Sequence, residues 1–232
     1  MRRDRSTRRP ARIVGVIASR ADFDRALRMR RPPDLFELRL DCMAGIADRL
    51  QPLFSKLRAP LIITARHPKE GGAGKLSMRQ RRDLLTRFLN HADYLDVELR
   101  SASELRSLLA AAESKKKRRI ISFHDLKCTP STRLLTMKAR QAKAHGADVF
   151  KVATRINTPV ELGQLLEFVT YNRTRIPLAV MGIGRLGALS RVLLARAGSV
   201  LIYASLSATV TEGQLSVEEL RALGIGRMTT LC

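Results

Sequence analysis

Lys151 is the residue whose placement is hardest to explain by packing. It stands between Phe150 and Val152 in the run DVFKVAT (148–154), with no acidic neighbour in sequence. A lysine so placed is either paired with a distant carboxylate or held neutral. Glu37, Glu70 and Glu98 are the candidate partners; desolvation and nearby cations such as Arg39, Arg66 or Arg191 would favour the neutral form. A neutral amine can attack a carbonyl carbon and form a Schiff base. His124 is suited to move protons beside it, since an unperturbed imidazole titrates near neutrality.

Other polar residues keep the same period. In LFELRLD (35–41), Glu37, Arg39 and Asp41 fall on one face of an extended chain, with Leu38 and Leu40 on the other. Thr64 and Arg66, Asp96 and Glu98, and Ser122 and His124 repeat the arrangement. Strands of a parallel sheet are buried on both faces and should read as nearly continuous apolar runs. Each buried polar group left unsatisfied costs roughly 2–7 kcal/mol. These groups must therefore satisfy one another, and their convergence predicts a functional pocket.

The elements that would position them are eight short β-branched runs separated by helix-like segments. The runs are 11–18, 35–41, 61–66, 94–99, 119–125, 148–154, 177–183 and 200–206. Ser77 to Gln80 and Ser216 to Glu219 are capping-box patterns, and Thr158-Pro159 places proline at a first helical position. Eight such units predict an α/β chain folded as a (β/α)₈ TIM barrel, a single domain over 12–232 behind a basic tail at 1–11. An open doubly wound sheet is the structural rival, but its six or so strands leave two units over. Nearly all the polar positions lie toward the C-terminal ends of their strands, where barrel enzymes build their sites.

Composition pulls another way. In 232 residues, 43 Lys and Arg face 21 Asp and Glu, a net charge of +22. That balance suits a nucleic-acid binder or an enzyme that handles small anions. Seven Phe, three Tyr and no Trp offer few platforms for base stacking. The densest basic run, 115–119, reads as a solvated turn at the barrel end opposite the site, and nucleic acid is not expected as a partner. No apolar run approaches the roughly 20 residues of a membrane span. Cys42, Cys128 and Cys232 lack metal-like spacing, so a reducing cytoplasm is the expected compartment. The loop HPKEGGAGK (67–75) departs from a phosphate-binding loop because Leu76 follows its last lysine. Its glycines would instead free Glu70 to turn into the barrel mouth.

Taken together and in order, these residues resemble the type I 3-dehydroquinate dehydratases of the shikimate pathway. The motifs are Glu37-Leu-Arg39-Leu-Asp41, Thr64-Ala-Arg66 through Glu70-Gly71-Gly72, Asp96-Val-Glu98 and Ser122-Phe-His124-Asp125. Thr129-Pro130, Asp148 through Lys151-Val-Ala153, Met181-Gly182, Ser190-Arg191 and Gly213-Gln214 complete the set. The resemblance implies a (β/α)₈ hydro-lyase that removes water from 3-dehydroquinate to give 3-dehydroshikimate, the third step of that pathway. It implies a homodimer that needs neither metal nor organic cofactor. Lys151 would be the Schiff-base nucleophile, His124 the general acid and base, and Glu70 the carboxylate that orients His124. Glu37 and Arg66 would hold substrate hydroxyls, and Arg191 would clamp the carboxylate. Arg39 and Gln214 would line the pocket, and Met181 would pack against the ring. One stretch departs from the pattern: relatives read Ser/Thr-Ala-Pro-Gly-Gln where this chain has Val210-Thr211-Glu212-Gly213-Gln214. Tyr203 stands where relatives often carry phenylalanine. Another Schiff-base barrel enzyme, such as an aldolase, is the alternative within the same chemistry.

Overall fold

Eight parallel strands alternate with helices along the chain, and a computed structural model describes residues 10–207 and 212–226. The strands are β1 (Arg12–Ile17), β2 (Leu35–Arg39), β3 (Leu61–Thr64), β4 (Tyr94–Glu98), β5 (Arg118–Asp125), β6 (Val149–Arg155), β7 (Leu178–Ile183) and β8 (Leu201–Ser205). Between them lie α1 (Arg20–Arg28), α2 (Leu40–Met43), α3 (Ala47–Leu50), α4 (Met78–Phe88) and α5 (Arg106–Ser114). The second half carries α6 (Thr132–Ala144), α7 (Pro159–Thr170), α8 (Gly187–Ala197) and α9 (Val217–Ala222). The expected capping boxes form at Ser77 and Ser216, and Thr158 adds a third through Glu161. Among the described residues no helix is long and apolar enough to cross a membrane.

The strand order is β7-β6-β5-β4-β3-β2-β1-β8, so the first strand pairs with both the second and the last. The remaining seam, between β7 and β8, is nearly closed. There the Val200 N–H donates to the Leu178 carbonyl at 2.8 Å, and the Val180 N–H donates to Ser199 Oγ at 2.8 Å. The result is the (β/α)₈ barrel that the eight repeated units predict.

Burial on both faces divides the apolar residues into two cores. Outward positions such as Phe36, Leu38, Ile63, Leu95 and Val152 pack beneath the helices. Inward positions at the strand starts, among them Val14, Leu35, Ile62, Ile120 and Val149, fill the bottom of the barrel. Two residues further on, the same inward face turns polar. Leu35 is followed by Glu37, Ile62 by Thr64, Tyr94 by Asp96, Ile120 by Ser122 and Val149 by Lys151. The period-two alternation thus converts directly into height along the barrel axis.

Two expected strands are shorter than their sequence pattern. β2 ends at Arg39, where φ −81° and ψ 84° turn the chain into α2, so Asp41 lies in a helical turn. β3 ends at Thr64, and Arg66 reaches the interior from the loop beyond. The cause is Asp41 itself: its carboxylate accepts the backbone N–H groups of Arg66 at 3.1 Å and Ala73 at 2.8 Å. It ties down the loop after β3 and does not continue a ladder. Residues 1–9 of the basic tail, Val210 and Thr211 of the divergent loop, and Cys232 lie outside the described residues.

At the opposite end, an aspartate before each of β2, β4 and β6 holds the strand before it. Asp34 accepts from the Ile13 N–H at 2.8 Å, Asp93 from Leu61 at 2.9 Å and Asp148 from Arg119 at 2.7 Å. These carboxylates satisfy strand-start donors that no ladder bond reaches. Asp93→Ala is expected to lower stability by about 1–2 kcal/mol, roughly 2–8 °C in melting temperature, with turnover retained. Thermal denaturation followed by circular dichroism, with an activity assay, checks both parts.

Candidate active site

Lys151 comes to the barrel axis because β6 turns it inward, level with Ser122 on β5 and Ala179 on β7. Of the two states open to it, the structure shows the paired one. Nζ donates to Glu37 Oε1 at 3.1 Å and to Asp96 Oδ2 at 3.0 Å, and lies 3.8 Å from the centre of the Tyr203 ring. Glu37 was among the expected partners; Asp96 replaces Glu70 and Glu98. Glu98 is engaged elsewhere, by Arg66, Arg81 and the His67 N–H.

Arg66 is the hub of this network. Its Nη1 donates to Ser122 Oγ at 2.6 Å, Asp96 at 3.2 Å and Glu98 at 3.2 Å; its Nη2 donates to Asp96 at 3.0 Å. Glu37 lies 3.7 Å from the same nitrogen. Burial alone would lower its pKa, but Asp96, Glu98 and Glu37 outweigh that and raise it. The sequence reading gave Arg66 to substrate hydroxyls. In the structure its Nη1 and Nη2 donate to protein oxygens and hold the carboxylates that surround Lys151, while the side chain also lines the cavity.

His124 and Glu70 form a second unit. The Glu70 side chain arrives from a turn at Pro68–Glu70, and Gly71 then takes a left-handed φ of 85°. A Cβ at Gly72 would collide with the Arg66 carbonyl, so both glycines are needed for this bend. Glu70 Oε2 accepts from the His124 backbone N–H at 3.0 Å and from its Nδ1 at 3.0 Å. Burial, with Arg66 and Lys151 nearby, holds the imidazole pKa well below its usual value, so the ring is neutral. Pairing Nδ1–H with Glu70 leaves Nε2 as the basic nitrogen. Burial and the Glu98 charge push the Glu70 carboxyl up to about 7.

Arg191 presents a third element. It is 2% exposed, and burial alone pushes its pKa down to about 10, because no carboxylate offsets the cost. Its Nη1 donates to the carbonyls of Gly182 at 2.7 Å, Gly187 at 3.1 Å and Gly213 at 2.7 Å, and its Nε donates to Tyr203 at 3.3 Å. It therefore staples the β7–β8 seam while Nη2 has no hydrogen bond among the described residues. Arg39 is held differently, in a bidentate pair with Asp41 at 3.0 and 2.7 Å.

All the expected site residues line one cavity of about 490 Å³: Lys151, His124, Glu70, Glu37, Arg39, Arg66, Arg191, Gln214 and Met181. Tyr203 and Ser205 line it too, and their buried hydroxyls have no hydrogen-bond partner among the described residues. Glu212, at the proline position of the divergent loop, bonds Arg155 Nη1 across the mouth at 3.2 Å. Among the described residues no cluster of His, Cys, Asp or Glu is placed to hold a metal ion.

A model of the type I 3-dehydroquinase family matches residues 11–224. The chain belongs to that family. It is 32% identical over 206 residues to the 3-dehydroquinate dehydratase of Shouchella clausii, covering 83% of this chain and 80% of the relative. It is 30% identical over 192 residues to that of Methanothermobacter thermautotrophicus, with 82% and 83% covered. The solved 3-dehydroquinate dehydratase of Geobacillus kaustophilus superposes with a TM-score of 0.84 at 26% identity, covering 93% of this chain and 90% of that one. Membership of the type I 3-dehydroquinase family makes the chain a hydro-lyase, and its barrel is the family's barrel.

The sequence reading missed Arg81. This α4 residue is 1% exposed, bonds the second oxygen of Glu98, and donates to the Ala65 carbonyl at 2.8 Å. Its signal was present: Arg81 precedes Leu84, Leu85 and Phe88 at helical spacing, on a face otherwise apolar. Arg81→Leu leaves a buried carboxylate short of its partner and is expected to cost about 3–5 kcal/mol. Urea unfolding of the variant and its parent measures this difference directly.

Proposed function

We propose that the chain dehydrates 3-dehydroquinate to 3-dehydroshikimate through a Schiff base on Lys151, the third step of the shikimate pathway. The observation that carries this reading is one cavity holding three things: a buried lysine, a neutral histidine oriented by a carboxylate, and a buried arginine with no counter-ion among the described residues. Lys151 Nζ, once deprotonated, adds to the C3 carbonyl carbon, and loss of that oxygen as water leaves an iminium. Glu37 and Asp96, which already face Nζ, balance the new cation. Burial alone would raise the Asp96 pKa, yet Arg66 and Lys151 hold it far below the carboxylate range, so it remains an anion.

His124 Nε2 then removes a proton from C2, and the electron pair moves into the iminium to give an enamine. The enamine expels the hydroxyl from C1, and the proton on His124 leaves with it as water. Hydrolysis of the remaining imine frees the product and the lysine. Arg191 Nη2 is the donor available to the substrate carboxylate, and a planar guanidinium suits that task. Glu37, Arg39 and Gln214 form the polar wall around the ring hydroxyls, and Met181 supplies an apolar surface.

Borohydride added to enzyme turning over 3-dehydroquinate should fix the ligand covalently, with the added mass on Lys151 by peptide mass spectrometry. An adduct elsewhere, or none, overturns the assignment. His124→Ala should still be trapped, more slowly, while turnover falls by about 10²–10⁴. The pH profile of kcat/KM adds a separate check. Below its pKa of about 7 Glu70 is protonated and ceases to be an anionic acceptor for Nδ1–H, so activity should rise with pH through that value. That acid limb should vanish in Glu70→Gln.

A further inference from the structure

Because all eight strands are parallel, every loop that enters a strand arrives at one end of the barrel, opposite the cavity. On the half of that face fed by β1 to β5, the exposed side chains are overwhelmingly cationic. Arg28, Arg30 and Arg31 lie in the connection into β2, and Lys56 and Arg58 in that into β3. Lys115 to Arg118 form the turn into β5. None of these makes an ion pair among the described residues, whereas exposed arginines on the helices, such as Arg20, Arg79 and Arg87, do.

The acids on the same arc are Asp34, Asp93 and Glu113; the first two accept backbone N–H bonds at strand starts, and Glu113 is paired with Arg119. The hydrogen bonds that the cations do make go to uncharged oxygens, which fix their position without cancelling their charge. Arg58 bonds the Met29 carbonyl, Lys117 the Asn90 carbonyl at 3.4 Å, and Arg118 the Tyr94 hydroxyl at 3.2 Å. Favourable placement at helix C-termini accounts for a cation in a last turn such as Arg28. It does not account for four in succession at 115–118.

We propose that this face docks on the phosphate backbone of a nucleic-acid duplex, without reading sequence. The chemistry favours that occupant over a membrane, since none of the exposed large hydrophobic residues lies in the connections into β2, β3 or β5. A membrane-surface site needs an apolar face to insert. It also favours a duplex over a single strand, because the described residues of the arc expose no Phe, Tyr or Trp side chain on which bases could stack. Guanidinium groups match phosphate oxygens in a bidentate way. Of the basic run read from the sequence at 115–119, Lys115 to Arg118 belong to this surface, while Arg119 is paired with Glu113 and Asp148.

Fluorescence anisotropy with labelled 30-base-pair DNA and RNA duplexes of random sequence tests the proposal. Binding should weaken steeply with salt, with a log–log slope of about −4 or steeper. Arg30→Glu/Lys115→Glu should weaken it at least about tenfold at 100 mM salt and reduce the slope by about 2. Arg82→Glu/Arg106→Glu, the same charge change on the exposed sides of α4 and α5, should weaken it by less than about threefold. Dehydratase activity should be unchanged in both, which separates this face from the cavity. The proposal is overturned by no duplex binding at low salt or by equal losses in the two variants. It is equally overturned if anionic phosphatidylserine vesicles are bound and duplexes are not.

Discussion

The guanidinium of Arg66 is the one charge that three buried carboxylates share, and the upper barrel is organised around it. Glu37, Asp96 and Glu98 are balanced by Arg66, Lys151 and Arg81. Removing one partner from such a set typically costs about 3–5 kcal/mol, because the remaining charge is stranded away from water. Within it the Lys151 ammonium is held by two carboxylates and an aromatic face. Charge stabilisation that exists before the reaction begins requires no reorganisation during it.

The second unit works by separation. His124 is kept neutral by burial and by the same cations that neutralise the carboxylates, and its bond to Glu70 fixes which nitrogen is basic. Burial and the Glu98 charge raise the Glu70 carboxyl, whereas direct bonds to Arg66 and Lys151 keep Asp96 ionised, so Glu70 is the less acidic of the two. Two carboxylates within one barrel mouth thus have opposite tendencies. One stays ionised and holds charge, and the other titrates where a general base is useful.

Much of this was legible in the sequence because a parallel strand buried on both faces admits polar residues only where the interior is itself polar. Glu37, Thr64, Asp96, Ser122 and Lys151 could be placed on one axis from alternation alone. What alternation does not encode is depth. Asp96 and Glu98 share a face, and only the stagger of the strands decides that the lower one meets Lys151. Arg81 escaped for a related reason: its partner belongs to a different βα unit, so its meaning is tertiary. Arg191 was recognisable as a site residue, but its hold on four carbonyls around the seam depends on how the ring closes. The end of β2 was misjudged because Asp41 keeps the strand period while its carboxylate serves a neighbouring loop.

The bonds from Asp34, Asp93 and Asp148 have a bearing on how the barrel assembles. They join β1 to β2, β3 to β4 and β5 to β6, and Ser199 makes the equivalent link between β7 and β8. Their sequence separations are 21, 32, 29 and 19 residues, so each closes within a single strand–helix–strand unit. Each quarter of the ring can set its own register before the circle exists, at the entropic cost of a short loop only. The eightfold barrel is, at its lower rim, four strand–helix–strand parcels laid side by side.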